Sequence, residues 1–581
     1  MTTPTAISPG TSALDDAKFA LRHLFVRAGL FSFFVNILML TGPIYMLQMY
    51  DRVLSSRSVE TLIVITILTL VLFMALGLLD FARNALLSRS GAKFEDRLKA
   101  NIFDISVEAA RSGAKGADQA MKDLRQVRQF VASPALTAVF DAPWTPIFLI
   151  VVFLMHWLLG LVALGGLILL VCLAMLNERA SRAAMQNAHT VLNDADRLAG
   201  STMRNAAAAD SMGMRGPLRE KWMQLSAAAS DQNVIATDTI GGLTAASKAS
   251  RLFLQSAMLG TGALLAIGGH VTPGVMIAAS ILTGRVLAPI EMVTSQWRNF
   301  SQTIAAYRRL EKIIDVAPST QERTSLPAPT GEIFVDRFYC QPGNAKKPVL
   351  KNISFRVRAG ETIGIVGPSA AGKSTLARAL VGVEKINAGD IRLDGASLSQ
   401  WQRDALGPHI GFLPQEVELF AGTPAQNISR FAKDADAEKI IAAATVAGAH
   451  EMILGFDDGY DTEIGEGGAH ISAGQRQRLG LARALFGAPS IVVLDEPNAN
   501  LDSEGDMALA NAVQALKAKG VTTLIVAHRP SAIAYVDKLL LLIDGEARAF
   551  GPRDEILKQI APNQVAPFPA QGPKGGASGV A

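Results

Sequence analysis

Four stretches without a single Asp, Glu, Lys or Arg constrain this chain more than any other feature. Ala28 to Tyr50 runs 23 residues uncharged, Thr61 to Leu79 runs 19, Ala142 to Asn177 runs 36 and Leu252 to Gly284 runs 33. A helix rises 1.5 Å per residue, so about 20 residues cross a bilayer core of about 30 Å. Lipid offers the backbone no hydrogen-bond partners, so runs of this kind must be helical. The first two runs make one span each. The last two are too long for one span, and each is interrupted near its middle. The breaks are His156-Trp157 with Gly160, and Gly268-Gly269-His270-Val271-Thr272-Pro273-Gly274, so each run folds as two spans around a tight turn. Six spans are expected, at 28–50, 61–79, 142–157, 160–177, 252–268 and 271–287, and no charge is expected inside their membrane-crossing parts, Arg285 falling only near the end of the last. That pattern argues against the buried ion or proton relay of ion-coupled transport.

Composition agrees: 49% of the residues are hydrophobic and 18% charged, against about 25% charged in soluble proteins. The net charge of +4 is too small to imply a nucleic-acid partner. Cys172 and Cys340, the two cysteines, supply no disulfide framework or metal cluster. No removable signal peptide is read at the N-terminus. The segment from Arg83 to Arg128 carries ten Lys and Arg, and that from Arg179 to Arg251 carries nine, whereas the short hairpins on the other face carry only Arg52 and Arg57. The positive-inside rule therefore puts both long segments and both termini in the cytoplasm. These segments are rich in helix formers and read as continuations of the spans. Residues 1–20 and 561–581 read as disordered tails, 21–312 as the membrane domain and 313–330 as a linker. Residues 331–560 alternate strand-like and helical runs, as a soluble α/β domain does.

Within that last region, Gly367-Pro368-Ser369-Ala370-Ala371-Gly372-Lys373-Ser374 follows the apolar run Thr362-Ile363-Gly364-Ile365-Val366 and leads through Thr375 into a helix-forming run. This is the strand, loop and helix order of a phosphate-binding P-loop. Glycines let backbone N–H groups turn toward phosphate oxygens, and the helix presents its positive end. Lys373 would reach the β- and γ-phosphates, and Ser374 would ligate Mg²⁺. A second apolar run, Ile491-Val492-Val493-Leu494, ends in Asp495 and Glu496. Asp495 suits a Mg²⁺ contact, and Glu496 suits the base that polarises the attacking water.

With these two motifs, the soluble region resembles the ATP-binding-cassette (ABC) ATPases. Ile471-Ser472-Ala473-Gly474-Gln475 looks like the family's signature motif, Leu-Ser-Gly-Gly-Gln, with Ile and Ala at its first and third positions. Gln415 matches the Q-loop glutamine, His528 the switch histidine, and Asn500-Leu501-Asp502 the D-loop. The resemblance implies that Ser472, Gly474, Gln475 and Asp502 take part in the ATP site, that Gln415 senses Mg²⁺ and the γ-phosphate, and that Gln415, His528, Lys373 and Glu496 serve catalysis. The family stacks adenine on an aromatic just before a Pro-Gly; here Gln341 precedes Pro342-Gly343, leaving Tyr339 or Phe338 for that place, or both for the core. One cassette per chain implies a homodimer, because the family's signature motif completes the partner's site.

Six spans ahead of a cassette resemble the ABC exporter half-transporter. This implies a multidomain membrane protein, with a six-helix all-α transmembrane domain followed by an α/β P-loop ATPase domain. Thr462 to Gly468 looks like the exporter X-loop, with Glu466 as its contact to the helices; coupling segments are expected near Lys115–Lys122 and Ala209–Gly216. Pro43 to Leu54 and Phe140-Asp141-Ala142-Pro143-Trp144-Thr145-Pro146 are similar to stretches of the type I secretion exporters, specifically the PrtD-like group. That resemblance implies an ATPase translocase of the bacterial inner membrane, surrounded by lipid. It would pass unfolded secreted proteins with a C-terminal signal to a periplasmic adaptor (membrane fusion protein) and a TolC-like outer-membrane channel. No peptidase-like domain is read before the first span, so trimming of cargo is not expected. An exporter of lipids or small molecules is the alternative.

Overall fold

The polar segments between the apolar runs prolong the spans. In the computed structural model, which describes residues 13–111, 119–316, 326–343, 345, 347–527 and 533–560, the helices Val59–Arg111, Trp157–Arg204 and Arg215–Ile267 run 53, 48 and 53 residues. At 1.5 Å per residue these are about 70–80 Å long, more than twice a bilayer core. The chain divides into two compact units, with the main boundary between Ala317 and Pro318.

Among the described residues of the first unit, six helical stretches are long and apolar enough to cross a membrane. Phe148, Val152, Leu159, Ala163, Met258, Leu282 and Val286 form a core between four of them. Several expectations are corrected. Residues 13–20 are helical, not disordered, because the helix Ala13–Leu38 starts within good helix formers and carries Asp16 near its positive end. Residues 313–316 belong to the helix Trp297–Val316, since Ile313 and Ile314 pack with Leu310 against Leu98 and Leu124. The first span is broken: Thr41–Gln48 restarts after a turn at Met39-Leu40, with Pro43 in its first turn, where no N–H is required. A five-residue π-helix, Met49–Val53, then turns the corner. Gly160 is not part of the break at His156-Trp157. His156 alone is extended there, and a Cβ at Gly160 would meet the Phe153 ring at 2.3 Å, so glycine serves close packing of the two legs.

The third span begins at Pro134 rather than Ala142. It therefore carries Asp141, and the expectation that no charge lies within a span fails at this position. Asp141 is tolerated because Arg83 Nη1 donates to its Oδ1 at 2.9 Å and Asn36 Nδ2 at 2.8 Å. Fifty-eight residues separate Arg83 from Asp141, so no local pattern announces the pair.

The second unit holds strands β1 (Ile333–Cys340), β2 (Leu350–Val357), β3 (Thr362–Val366), β4 (Ala388–Leu393), β5 (Ala396–Ser397), β6 (Ile410–Leu413), β7 (Ile491–Asp495), β8 (Thr522–Val526), β9 (Lys538–Ile543) and β10 (Glu546–Pro552). An antiparallel sheet runs β2-β1-β4-β5, and a larger one runs β10-β9-β3-β8-β7-β6, with β9-β3-β8-β7-β6 parallel. Every residue of β7 and β8 is buried, which is why neither strand alternates apolar with solvent-facing polar residues. The carboxyl ends of β3, β7 and β6 lead into the Gly367 loop, Glu496 and Pro414-Gln415 respectively. Parallel α/β sheets bind ligands along this edge.

Candidate functional site

The loop after β3 is shaped by two glycines that cannot be replaced. At Gly367 a Cβ would lie 2.0 Å from Leu542 O, and at Gly372, with φ +95°, it would lie 2.8 Å from Leu350 Cδ2. The loop then enters the helix Lys373–Leu380, which buries Lys373 and Thr375 and presents its N-terminus to the loop. Lys373 Nζ donates to Gly367 O at 3.0 Å and Pro368 O at 2.8 Å. Burial pushes its ammonium below its ordinary pKa, against the pull of Glu496 and Asp495. The loop is thus a ring of backbone around one cation, with Ser369, Ala370 and Ala371 as its tip.

Ala370 sits at φ +63°, a region that costs an L-residue about 1–2 kcal/mol. Ala370→Gly relieves this but frees the unfolded chain by about 0.4–1 kcal/mol. The expected result is a thermal midpoint equal to or slightly above that of the wild type, with ATP turnover within about twofold. A clear fall in the midpoint would contradict the left-handed assignment.

Three neighbouring elements meet this loop. Ser374 Oγ donates to Asp495 Oδ1 at 3.0 Å. Asp495 is buried at the end of β7, and burial raises its carboxyl above the usual range, with the Ser374 hydroxyl pulling it back down. Glu496 turns out of the strand at φ +49°, its N–H donating to Val526 O at 3.1 Å. Gln415 Nε2 donates to Glu496 Oε2 at 3.1 Å. The structure thereby brings Lys373, Ser374, Asp495, Glu496 and Gln415 together. A hydroxyl, carboxylates and an amide carbonyl are the hard oxygen donors that Mg²⁺ takes alongside substrate phosphates. His528 lies outside the described residues. Of the two aromatics considered for adenine, Phe338 is fully buried in the core and Tyr339 is 36% exposed, so only Tyr339 faces outward.

The remaining residues form a second group. Ser472 is the N-cap of the helix Ala473–Leu485 and closes a capping box with Gln475: Gln475 N donates to Ser472 Oγ at 3.2 Å, and Ser472 N to Gln475 Oε1 at 2.8 Å. Gly474 passes close to Asn500 O. Asp502 caps the helix Ser503–Ala518 through Gly505 N at 2.8 Å, and Arg478 Nη2 donates to the same oxygen at 2.9 Å. These donors, the Gly505 N–H first, hold the Asp502 carboxyl below its ordinary range. Gln477 Nε2 donates to Pro497 O at 2.9 Å, so this helix is tied to the segment that follows Glu496. Sequence reading missed Arg478, whose partner lies 24 residues away with no local pattern to mark it.

A buried lysine in a glycine-shaped loop, flanked by two carboxylates and a helix N-terminus, defines a P-loop nucleoside triphosphatase fused to a bundle of membrane-crossing helices. The chain belongs to the ABC transporter family: residues 350–499 match the family described as ABC transporter, and residues 25–290 match the ABC transporter transmembrane region. It is 42% identical over 557 residues to the type I secretion system ATP-binding protein PrsD of Rhizobium meliloti (strain 1021), covering 95% of both chains. It is 29% identical over 551 residues to the cyclolysin secretion/processing ATP-binding protein CyaB of Bordetella pertussis, covering 92% of this chain and 76% of that one. Among solved structures, a bacterial Atm1-family ABC exporter with ATP bound superposes with a TM-score of 0.81, covering 93% of this chain and 96% of that one; at 22% identity it shows the fold alone. The protein is thus a nucleotide-binding, ATP-hydrolysing, multi-pass membrane transporter with the exporter arrangement of six membrane helices and one ATPase domain.

Proposed function

We propose that this chain is the ATP-driven permease of a type I secretion system. The observation that carries the reading is the 42% identity to PrsD across 95% of both chains. It extends through the membrane half, where cargo must pass, as well as the cassette. The chain works in the inner membrane of a Gram-negative cell. Its ATPase domain is cytoplasmic, a placement supported by the ten and nine cations of the two long segments. It passes unfolded proteins with a C-terminal signal to a periplasmic adaptor and a TolC-like outer-membrane channel.

The working unit is a homodimer, since Ser472, Gly474 and Gln475 form a group of their own, suited to complete a partner's site. Their helix N-terminus offers N–H groups to a γ-phosphate. Lys373 and the loop N–H groups hold the β- and γ-phosphates, and Tyr339 lies beside adenine. Ser374, Asp495 and Gln415 hold Mg²⁺, which when bound neutralises the phosphate charge. Glu496 polarises the attacking water, and Gln415, bonded to its carboxylate, sets its direction. His528, the match to the switch histidine, serves catalysis. Loss of that phosphate removes what holds the two cassettes together, and the spans follow as a two-state element.

The test compares proteins in the medium of cells carrying the wild-type chain or Glu496→Gln. One or a few proteins should vanish from the medium and accumulate inside. Identical media would overturn the protein-export reading and move the search to lipids and small molecules.

A further inference from the structure

The proposed role of Gln415 beside Glu496, on which this inference rests, needs that side chain at a fixed place, yet Gln415 sits on an exposed loop after a strand of only four residues. The loop is held from a distance by two arginines. Arg430 Nη1 donates to Gly407 O at 2.8 Å, at the root of the segment that becomes β6. Its Nε and Nη2 donate to Arg483 O and Ala484 O, both at 3.1 Å. These two carbonyls lie in the last turn of the helix Ala473–Leu485, where intrahelical partners run out and a cation meets the negative end of the helix. From the same turn, Arg483 Nη1 donates to Glu418 O at 3.0 Å, three residues beyond Gln415. Both arms of the Gln415 loop are therefore fastened to one end of a 13-residue helix whose other end is Ser472 to Gln475.

The backbone at this brace is unusual. Arg430 and Phe431 lie at φ +56° and +58°, two successive left-handed residues with full side chains. Such strain persists only where the surroundings over-determine it. It is held here by Phe431 N donating to Gln426 O at 2.9 Å and by Asn427, buried, which bonds both the N–H and the carbonyl of Phe420. Lysine could not substitute, because an ammonium on a flexible stem does not bridge three carbonyls in two directions as a planar guanidinium does.

We propose that Arg430 is a positioning residue for ATP hydrolysis: it fixes Gln415 relative to the signature helix, so that the two move as one piece. The experiment uses the purified full-length chain. Arg430→Met and Arg430→Lys are each measured for kcat, for ATP affinity at equilibrium and for thermal midpoint. Each is then combined with Gln415→Ala in a double-mutant cycle. The expected result is a fall in kcat of about tenfold or more, of the order a small misplacement produces, with ATP affinity little changed and no rescue by lysine. In the Gln415→Ala background the Arg430 substitution should cost almost nothing further, because its effect runs through that side chain. Additive losses, an unchanged kcat, or affinity and kcat falling together would overturn the proposal. If Arg430→Met does not fold, the same cycle with Arg430→Lys and with Arg483→Met, which severs the Glu418 arm, decides it by the same criterion.

Discussion

Glu496→Gln is expected to lower ATP hydrolysis by at least about 10²-fold while leaving ATP affinity nearly unchanged. The substitution preserves shape, and the Gln415 amide, which donates to Glu496 Oε2 at 3.1 Å, can donate to the new carbonyl. The Glu496 backbone is fixed independently of its side chain, by its N–H on Val526 O and by the fully buried strand β7 behind it. Lys373, Ser374 and Asp495 are untouched. What disappears is a carboxylate able to accept a proton from water as the bond to phosphorus forms. The check is a paired measurement of turnover and equilibrium ATP binding on the same preparation. Turnover near the wild-type rate would remove Glu496 from the role of base. A parallel loss of binding would mean that the carboxylate serves the phosphate cradle rather than the water.

The cassette was legible because its chemistry is written in contiguous residues. A glycine at φ +157° against a backbone carbonyl, as at Gly367, tolerates no other residue, so the motif survives as a readable string. Strand β1 shows the opposite case. Simple alternation from buried Ile333 and Val335 would send Tyr339 inward and Phe338 outward. The register shifts between Val335 and Phe338, with Arg337 at φ +42°, so the inward phase moves to Phe338 and Cys340. A bulge of this kind leaves no signature in composition. The membrane unit was legible in number of spans and not in detail. The third span was cut short at Asp141 because an unpaired aspartate would end it, and its partners Arg83 and Asn36 come from two other helices. The Arg430 brace was invisible for the same reason: its acceptors are carbonyls 23 to 54 residues away.

The Arg83 cluster predicts the largest effect on stability. Arg83 is 4% exposed. Its guanidinium donates to Asp141 Oδ1 at 2.9 Å, to Ser32 Oγ at 3.0 Å and to Asp80 Oδ1 at 2.5 Å, and Asn36 joins Asp141 to Ser32 O. One cation thus ties the helices Ala13–Leu38, Val59–Arg111 and Pro134–Asp141. Removing one member of a buried pair costs about 3–5 kcal/mol, mostly because the other charge is left uncompensated. Arg83→Ala should therefore lower the thermal midpoint and the folded yield sharply, since Asp141 keeps only the Asn36 amide. Asp141→Ala should cost less, because Arg83 retains Asp80 and Ser32. Replacing both members with leucine should recover much of the loss, since a well-packed apolar pair can equal a buried ion pair. The order of the three midpoints is the check, and Arg83→Ala within about 1 kcal/mol of the wild type would mean that water already solvates the pair. The double variant then separates holding from moving. If it folds and hydrolyses ATP but no longer transports, the charges act in the rearrangement of the first three spans; if it transports normally, their work is confined to assembling them.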